Sequence, residues 1–536
     1  MIRHPQLSLD QFISDENRLQ DPQWSRLFLE LLKSSSSSNI QTFVRTNWLD
    51  RFRQILSDHI VFIETTPTIP PIICITIRSL AILARTDPLW WSRQHELASL
   101  LLRLWRSNTF QQHSFISSEH FDTFCSKELN NVLNLCLIYY QYQPDRIRLL
   151  LELTRIYSST EKLFYPKKFF HFIQETVIKT YSFKWKRDTL LTFISLRNDE
   201  SYTLECKSLF FEHILLPSFT YAFETNRAQI TNESLQTNSN NDETIIDLFI
   251  RTMIEMKYLQ SINDKYRICL LRFLCLFLEY NPQLICDTNS STNNKRDNEK
   301  IRRLMECAYG TLLLNNIDPT FKCQAHLLLC YIISKYSIVK KIIMHVFNSL
   351  LKSYIIDAKH LVRQATDLLI PAIPLRMDDG YEILAYCTKK ILSDDAHGNL
   401  QLIHIMSIIV RHQSIYFHVR YALANLMIQS AQKIAGQQSN SIEQKKLAID
   451  IIEVLIKWEL RKHFEQINDQ KNFNRSSVDT IFAFLIRHAC QISMANMLPL
   501  SQQCIRLFKI ARKFAWPNVD VKLTTFERLI HQIVSY

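Results

Sequence analysis

Residues 357–380 read DAKHLVRQATDLLIPAIPLRMDDG, and the adjacent carboxylates of Asp378 and Asp379 are where general acid–base chemistry would first be sought. Two carboxylates divide acid and base roles only when a nucleophile, a metal or a substrate cleft stands with them. Nothing nearby supplies such a component. The DDG triplet therefore reads as a corner between two helices, with a paired-carboxylate site as the other reading. His95 and Glu96 in HELAS begin a zincin-like pattern, but Ser99 occupies the place of the second metal-binding histidine. His404, His412 and His418 lie close in sequence, yet their spacings do not gather them on one helical face, so they read as satisfied or surface histidines. Basic groups stand at PKKFF (166–170), FKWKRD (183–188), KIRRL (300–304) and VKKII (339–343). Aromatics interleave the first two, as in single-stranded nucleic-acid grooves. A solvated helix edge with its rings turned inward explains the same letters. No catalytic, cofactor-binding or metal-ligating residue is assigned.

The elements that would have to position any such site are helical. The chain has 536 residues, of which 47% are hydrophobic and 21% charged, a globular balance. It contains only 4 glycines, where average usage would give roughly 37. Phosphate-cradling loops, tight hairpins and GxSxG elbows need glycine for positive φ or close backbone approach. A chain so poor in glycine is expected to be all-α. The 13 cysteines sit among apolar neighbours with no CxxC pair, and the start MIRHPQLSLDQF lacks the apolar core of a signal peptide. Both features predict reduced, buried thiols in an intracellular protein. Sequons at Asn232, Asn289 and Asn474 then carry little meaning. IPPIICITIRSLAILA and YRICLLRFLCLFLEY are interrupted by Arg or Pro and fall short of a membrane span. The net charge of +12, from 63 basic and 51 acidic side chains, permits an acidic partner without requiring one.

Four helix starts in the second half share one chemistry. Asp318 precedes Pro319, Asp357 opens the stretch quoted above, Asn399 precedes LQLIHIMSIIV, and Ser441 with Gln444 has capping-box spacing. The intervals between them are 39, 42 and 42 residues. Each interval holds a second helical pattern: VKKIIMHVFNSLLKSY, YEILAYCTKKIL and YFHVRYALANLMIQSAQKI. Helix pairs at this period predict an α-solenoid of HEAT- or armadillo-like antiparallel pairs. In the quoted stretch, Leu361, Val362, Ala365, Leu368 and Leu369 share one face. Pro371 is expected to stop the helix, Pro374 to hold an extended connection, and Gly380 to supply the corner before Tyr381. Trp458, at helical spacing, reads as core.

SRLFLELLK, HELASLLLRLW, NNVLNLCLIYY, RIRLLLELTRIY and TIIDLFIRTMIEM extend the helical period through the first half. Polar breaks at 34–39, 224–243, 287–300 and 465–477 read as exposed or disordered insertions. The expected organisation is an N-terminal helical-repeat arc over 1–223, a polar loop over 224–243, and a C-terminal HEAT-like arc over 244–536 carrying the last two insertions.

HLVRQATDLLIPAIPLRMDDG and SIEQKKLAIDIIEVLIKWELRK closely resemble the scaffold branch of the phosphatidylinositol-3-kinase-related family. KIRRLMECAYGTLL, HLLLCYIISKYSIVKKIIMHVFNSLLK and VDTIFAFLIRHACQI resemble it too. The likeness covers about 300–490 and is collinear from about 140, through FYPKKFF and LFFEHILLPSFTYAFE. The resemblance implies a segment of a giant helical solenoid that ends in a pseudokinase domain. It further implies a non-enzymatic scaffold in nuclear histone acetyltransferase and coactivator complexes, regulating transcription on chromatin. Complex subunits and transcriptional activator segments would be its partners. HRD, DFG and a glycine-rich kinase loop are missing from these residues. The final FERLIHQIVSY is apolar with no capping face, so an internal segment of a longer repeat array is expected. Two other readings use the same architecture. A karyopherin-like transport adaptor would bind a small GTPase or nucleoporin repeats, and a nucleic-acid-binding solenoid would release its ligand steeply with salt. An enzyme is the weakest reading, and no cofactor or small-molecule substrate is expected.

Overall fold

The computed structural model describes residues 22–34, 38–63, 70–106, 122–159, 166–226, 230, 235–236, 244–285, 294–313, 318–353, 358–393, 398–436, 441–465, 472–490 and 498–521. Among these, every element of any length is a helix, and β pairing is confined to one bridge between Gln236 and Thr244. The fold is the expected all-α solenoid class of paired helices. Contacts divide the chain into two compact units, Met1–Leu276 and Phe277–Tyr536.

In the second unit the helices alternate between two layers. Pro319–Lys335, Lys359–Arg376, Asn399–Arg411, Ile442–Phe464 and Leu498–Ile510 form one layer. Lys340–Lys352, Gly380–Leu392, Arg420–Gly436 and Arg475–Ala489 form the other, each packed on the next. Each helix buries an apolar stripe that it could not cover alone, and stacking removes that surface from water at roughly 25 cal/mol per Å². Local chemistry sets the starts. Asp318 accepts from the Thr320 amide at 2.7 Å with Pro319 in the first turn. Ser441 and Gln444 close a reciprocal capping box, as their spacing predicts. Asp357 lies outside the described residues. At the remaining start the cap is Gly398, not Asn399, which is already the first helical residue.

The double-proline helix corrects a sequence expectation. Lys359–Arg376 runs straight through Pro371 and Pro374. Each proline removes one amide donor from the final turns and costs roughly 3 kcal/mol in an isolated helix. Leu369, Ile370, Ala372 and Ile373 are buried around them, and that packing outweighs the loss. Leu361, Val362, Ala365 and Leu369 are buried as the period requires, whereas Leu368 is only partly covered.

In the first unit the core is aromatic. The Phe211 ring lies 5.3 Å from both Phe193 and Phe273, and Phe273 lies 5.0 Å from Phe249. Phe211 opens a wide π-type turn, Phe211–Leu215, between Leu204–Phe210 and Leu216–Asn226. Pro217 follows one residue later, and the wider turn makes room for a residue that lacks an amide and crowds the carbonyl four positions back. Within the expected polar loop 224–243, the described residues Ile230 and Leu235 are buried. The other breaks begin helices earlier than composition suggests, at Ser38 and Asn294.

Candidate interaction surface

The DDG triplet is a corner. Met377 ends the double-proline helix, Asp378 and Asp379 turn, and Gly380 starts the next helix. Asp379 pairs with Lys340 of the neighbouring helix, which holds its carboxyl below the usual range. A Cβ on Gly380 would stand 2.6 Å from the Ile373 carbonyl oxygen and from the Pro374 Cα. Glycine is needed here because one helix starts directly against the backbone of the last.

The histidines are not gathered. His404 Nε2 lies 3.1 Å from the Leu350 carbonyl, His412 Nε2 lies 2.9 Å from Asp367, and the His418 ring lies 4.4 Å from the Tyr381 ring, tilted to it by 39°. Burial is the first cause lowering the pKa of all three. His95 contacts the Tyr139 hydroxyl, while Glu96 pairs with Arg53 at 3.1 Å. Among the described residues, no three His, Cys, Asp or Glu side chains stand together as a metal site would need. Ten of the described cysteines are buried and Cys490 is exposed; burial pushes the Cys136 and Cys307 thiols up to about 12.

The basic, aromatic groups turn their rings inward. Phe169 is buried and stacks on Tyr157 at 4.3 Å. Trp185 is buried, and Lys186 beside it donates to the Ile178 carbonyl at 2.9 Å with its ammonium 5.2 Å from the Tyr221 ring. Burial pushes the Lys186 pKa down to about 8. Phe169 and Trp185 are thus unavailable for bases to stack on, while Phe170 and Phe183 are partly covered.

These rings serve a ladder between repeats that sequence reasoning missed. Helix C-termini leave carbonyls without intrahelical donors. Side chains from the following repeat donate to carbonyls at or just beyond such ends. Trp185 Nε1 donates to Pro144 at 2.8 Å, Tyr336 to Pro282 at 2.8 Å, Arg376 to Ser334 at 2.7 Å and Trp458 Nε1 to Gln413 at 2.8 Å. The partners are 41, 54, 42 and 45 residues apart, close to one repeat. The recurrence of Trp, Tyr or Arg one period after a helix end is the sequence signal that would have revealed them. Trp458 is thus core, as expected, and also a cross-repeat donor.

A family model described as the Tra1 HEAT repeat ring region matches residues 1–478. The chain belongs to the Tra1 HEAT repeat ring family. The Tra1 assignment confirms the resemblance and carries it to the N-terminus, well before residue 140. Transformation/transcription domain-associated protein of Danio rerio is 31% identical over 605 residues, covering 99% of this chain and 15% of that protein. The Homo sapiens protein of the same name gives the same identity and coverage. A more distant Tra1 relative in Schizosaccharomyces pombe is the SAGA complex/NuA4 acetyltransferase complex subunit Tra1, 23% identical over 245 residues, covering 42% of this chain and 7% of that protein. The chain therefore spans only about 15% of the length of the first two relatives. No helix among the described residues is long and apolar enough to cross a membrane.

Proposed function

We propose that this chain is a non-enzymatic scaffold segment of nuclear histone acetyltransferase and coactivator complexes. It docks complex subunits and transcriptional activator segments on the exposed faces of its repeats. The observation that carries this reading is the collinear match to the Tra1 ring over residues 1–478. The relative named as an acetyltransferase complex subunit supports the choice of complex. The architecture suits the task, because a stacked array presents a long polar surface while its core and cross-repeat bonds fix the spacing of whatever binds.

The test is affinity purification of the tagged endogenous protein, followed by mass spectrometry. Acetyltransferase and coactivator subunits are expected. Recovery of import receptors, a transport GTPase or nucleoporins in their place would overturn the reading and reassign the array to transport.

A further inference from the structure

We infer that the solvent faces of His95–Arg106 and Ile147–Ser159 form a contact for the phosphate backbone of duplex DNA. This goes beyond the scaffold reading and does not depend on it. The two helices adjoin in the first unit. Leu97, Leu101 and Leu104 are buried along the first, as are Leu150, Leu153 and Tyr157 along the second. Helical spacing then sends Ser99, Arg103 and Arg106 outward along one row, and Arg148, Glu152 and Arg155 along the next. Arg106 pairs with Glu152 at 2.8 Å and Arg155 reaches the same carboxylate at 3.9 Å, so the two rows meet.

Every cation on these rows is an arginine. The two helices hold four arginines and no lysine, against Glu96 and Glu152. The adjoining sequence is balanced, with Arg93, Arg146 and Lys162 against Glu119, Asp145 and Glu161. Glu152 is shared by Arg106, Arg155 and the Tyr202 hydroxyl, and Glu96 is held by Arg53 at 3.1 Å. Arg103 and Arg148 are exposed, and neither is paired with a described carboxylate. Asp199, in the corner after the second helix, feels Arg148 from a distance and takes its own bond from the Ser201 amide at 2.9 Å. Arg148 also stands in the first turn of its helix, where the dipole disfavours a cation, so helix chemistry does not account for it. Arginines in excess of carboxylates lower the free energy of an anionic ligand at this surface.

The groups that accompany the arginines select the ligand. Guanidinium forks grip phosphate oxygens bidentately. No exposed large apolar side chain stands on either row, so a peptide with apolar residues finds nothing here to hold them. The same absence of an exposed ring leaves a single strand nothing to stack on. A duplex keeps its bases stacked and turns a regular line of phosphates outward. Duplex RNA is recognised largely through its 2′-hydroxyls, and beyond Ser99 the named rows carry no neutral polar side chain to meet them. Beside Arg103 a groove of about 480 Å³ opens toward Leu49–Ile63, where Gln54, Ser57 and Ser99 add hydrogen-bond donors for a phosphate oxygen. Asp58 also lines the groove and repels a small free anion there, whereas a backbone crossing both rows is held by several arginines at once.

The experiment uses the full chain and follows a labelled DNA duplex by fluorescence anisotropy across a salt titration. An RNA duplex, a thymidine oligonucleotide and a polyglutamate peptide of matched charge are the comparison probes. The double variant Arg103→Gln, Arg148→Gln leaves Glu152 with both its arginines. It is expected to weaken duplex DNA binding about tenfold or more and to flatten the slope of log affinity against log salt by about two, one for each lost phosphate contact. Arg103→Lys, Arg148→Lys keeps the charge and loses the forks, so the slope should hold while affinity drops several-fold. Lys433→Gln, Lys446→Gln removes the same charge from exposed positions of the second unit and should change neither quantity. Unchanged melting temperatures show that each variant is folded. Equal slope and affinity in the Arg103→Gln, Arg148→Gln variant and the parent overturn the proposal, and so does an equal loss in the second-unit control. Tighter, arginine-dependent binding of the RNA duplex, the single strand or the peptide overturns it as well.

Discussion

At the scale of residues, three positions test the packing directly. Leu369 is fully buried between helices, and Leu369→Asp places a charge there without a partner. A loss of several kcal/mol is expected in denaturant unfolding; equal stability of mutant and parent would refute the assigned face. Gly380→Ala drives a methyl into the Ile373 and Pro374 backbone, and overpacking of this kind costs about 1–3 kcal/mol. Its readout is a lower melting temperature, with hydrogen exchange accelerated at the 376–381 corner. Lys186 gives a pH effect whose sign follows from burial. Its folded pKa is about 8, against an ordinary 10.5, so between these values the unfolded chain binds more protons. Stability therefore rises from pH 8 to 10.5 through this group, and is reduced below pH 8 by the cost of burying the charge. The difference in unfolding free energy between Lys186→Met and the parent should change across that window and be flat below it.

At the scale of elements, the double-proline helix and the tryptophan ladder show how context acts on local preference. The sequence places a helix stop at Pro371; the structure carries the helix about one and a half turns further, to Arg376, because Leu369, Ile370, Ala372 and Ile373 are buried around the prolines. A cap depends only on neighbours in the chain, and so Asp318 and the Ser441–Gln444 box are found where their letters put them. The ladder depends on residues one repeat away. Trp458→Phe keeps an aromatic ring in the core and removes only the bond to Gln413. That leaves the Gln413 carbonyl with only the Phe417 amide of its own short helix as donor, for an expected cost of about 1 kcal/mol. Native-state hydrogen exchange should show the loss concentrated in residues 399–464; a spread across the chain would mean the bond does not tie those two repeats.

At the scale of the whole molecule, histidines with partly covered rings contribute to the response to acid. His213, His326, His404, His412 and His418 are all lowered from the ordinary value of 6.5, with burial as the first cause. The folded state thus favours their neutral forms. Stability is full above pH 6.5 and is lost as pH falls through the lowered folded values, because the unfolded chain takes up protons first. Melting temperature should fall steadily below pH 6.5, and a His404→Gln, His412→Gln double variant should fall less steeply than the parent. Equal slopes would show that the charge of these two rings does not contribute.

The sequence by itself determined the helical class, the period near 40 residues, the caps at Asp318 and Ser441, the inward face of Leu369 and the family. All of these are written in local composition and spacing, or in long runs of matching residues. Tertiary structure alone decided that the helix continues past Pro371, that Ile230 and Leu235 are buried, and that Trp458 ties one repeat to the last. It also decided that the Arg106 and Arg155 rows lie side by side. Each of those facts is a contact between residues distant in sequence, and its free energy arises only when another helix arrives to exclude water and meet the exposed carbonyls or align the charges.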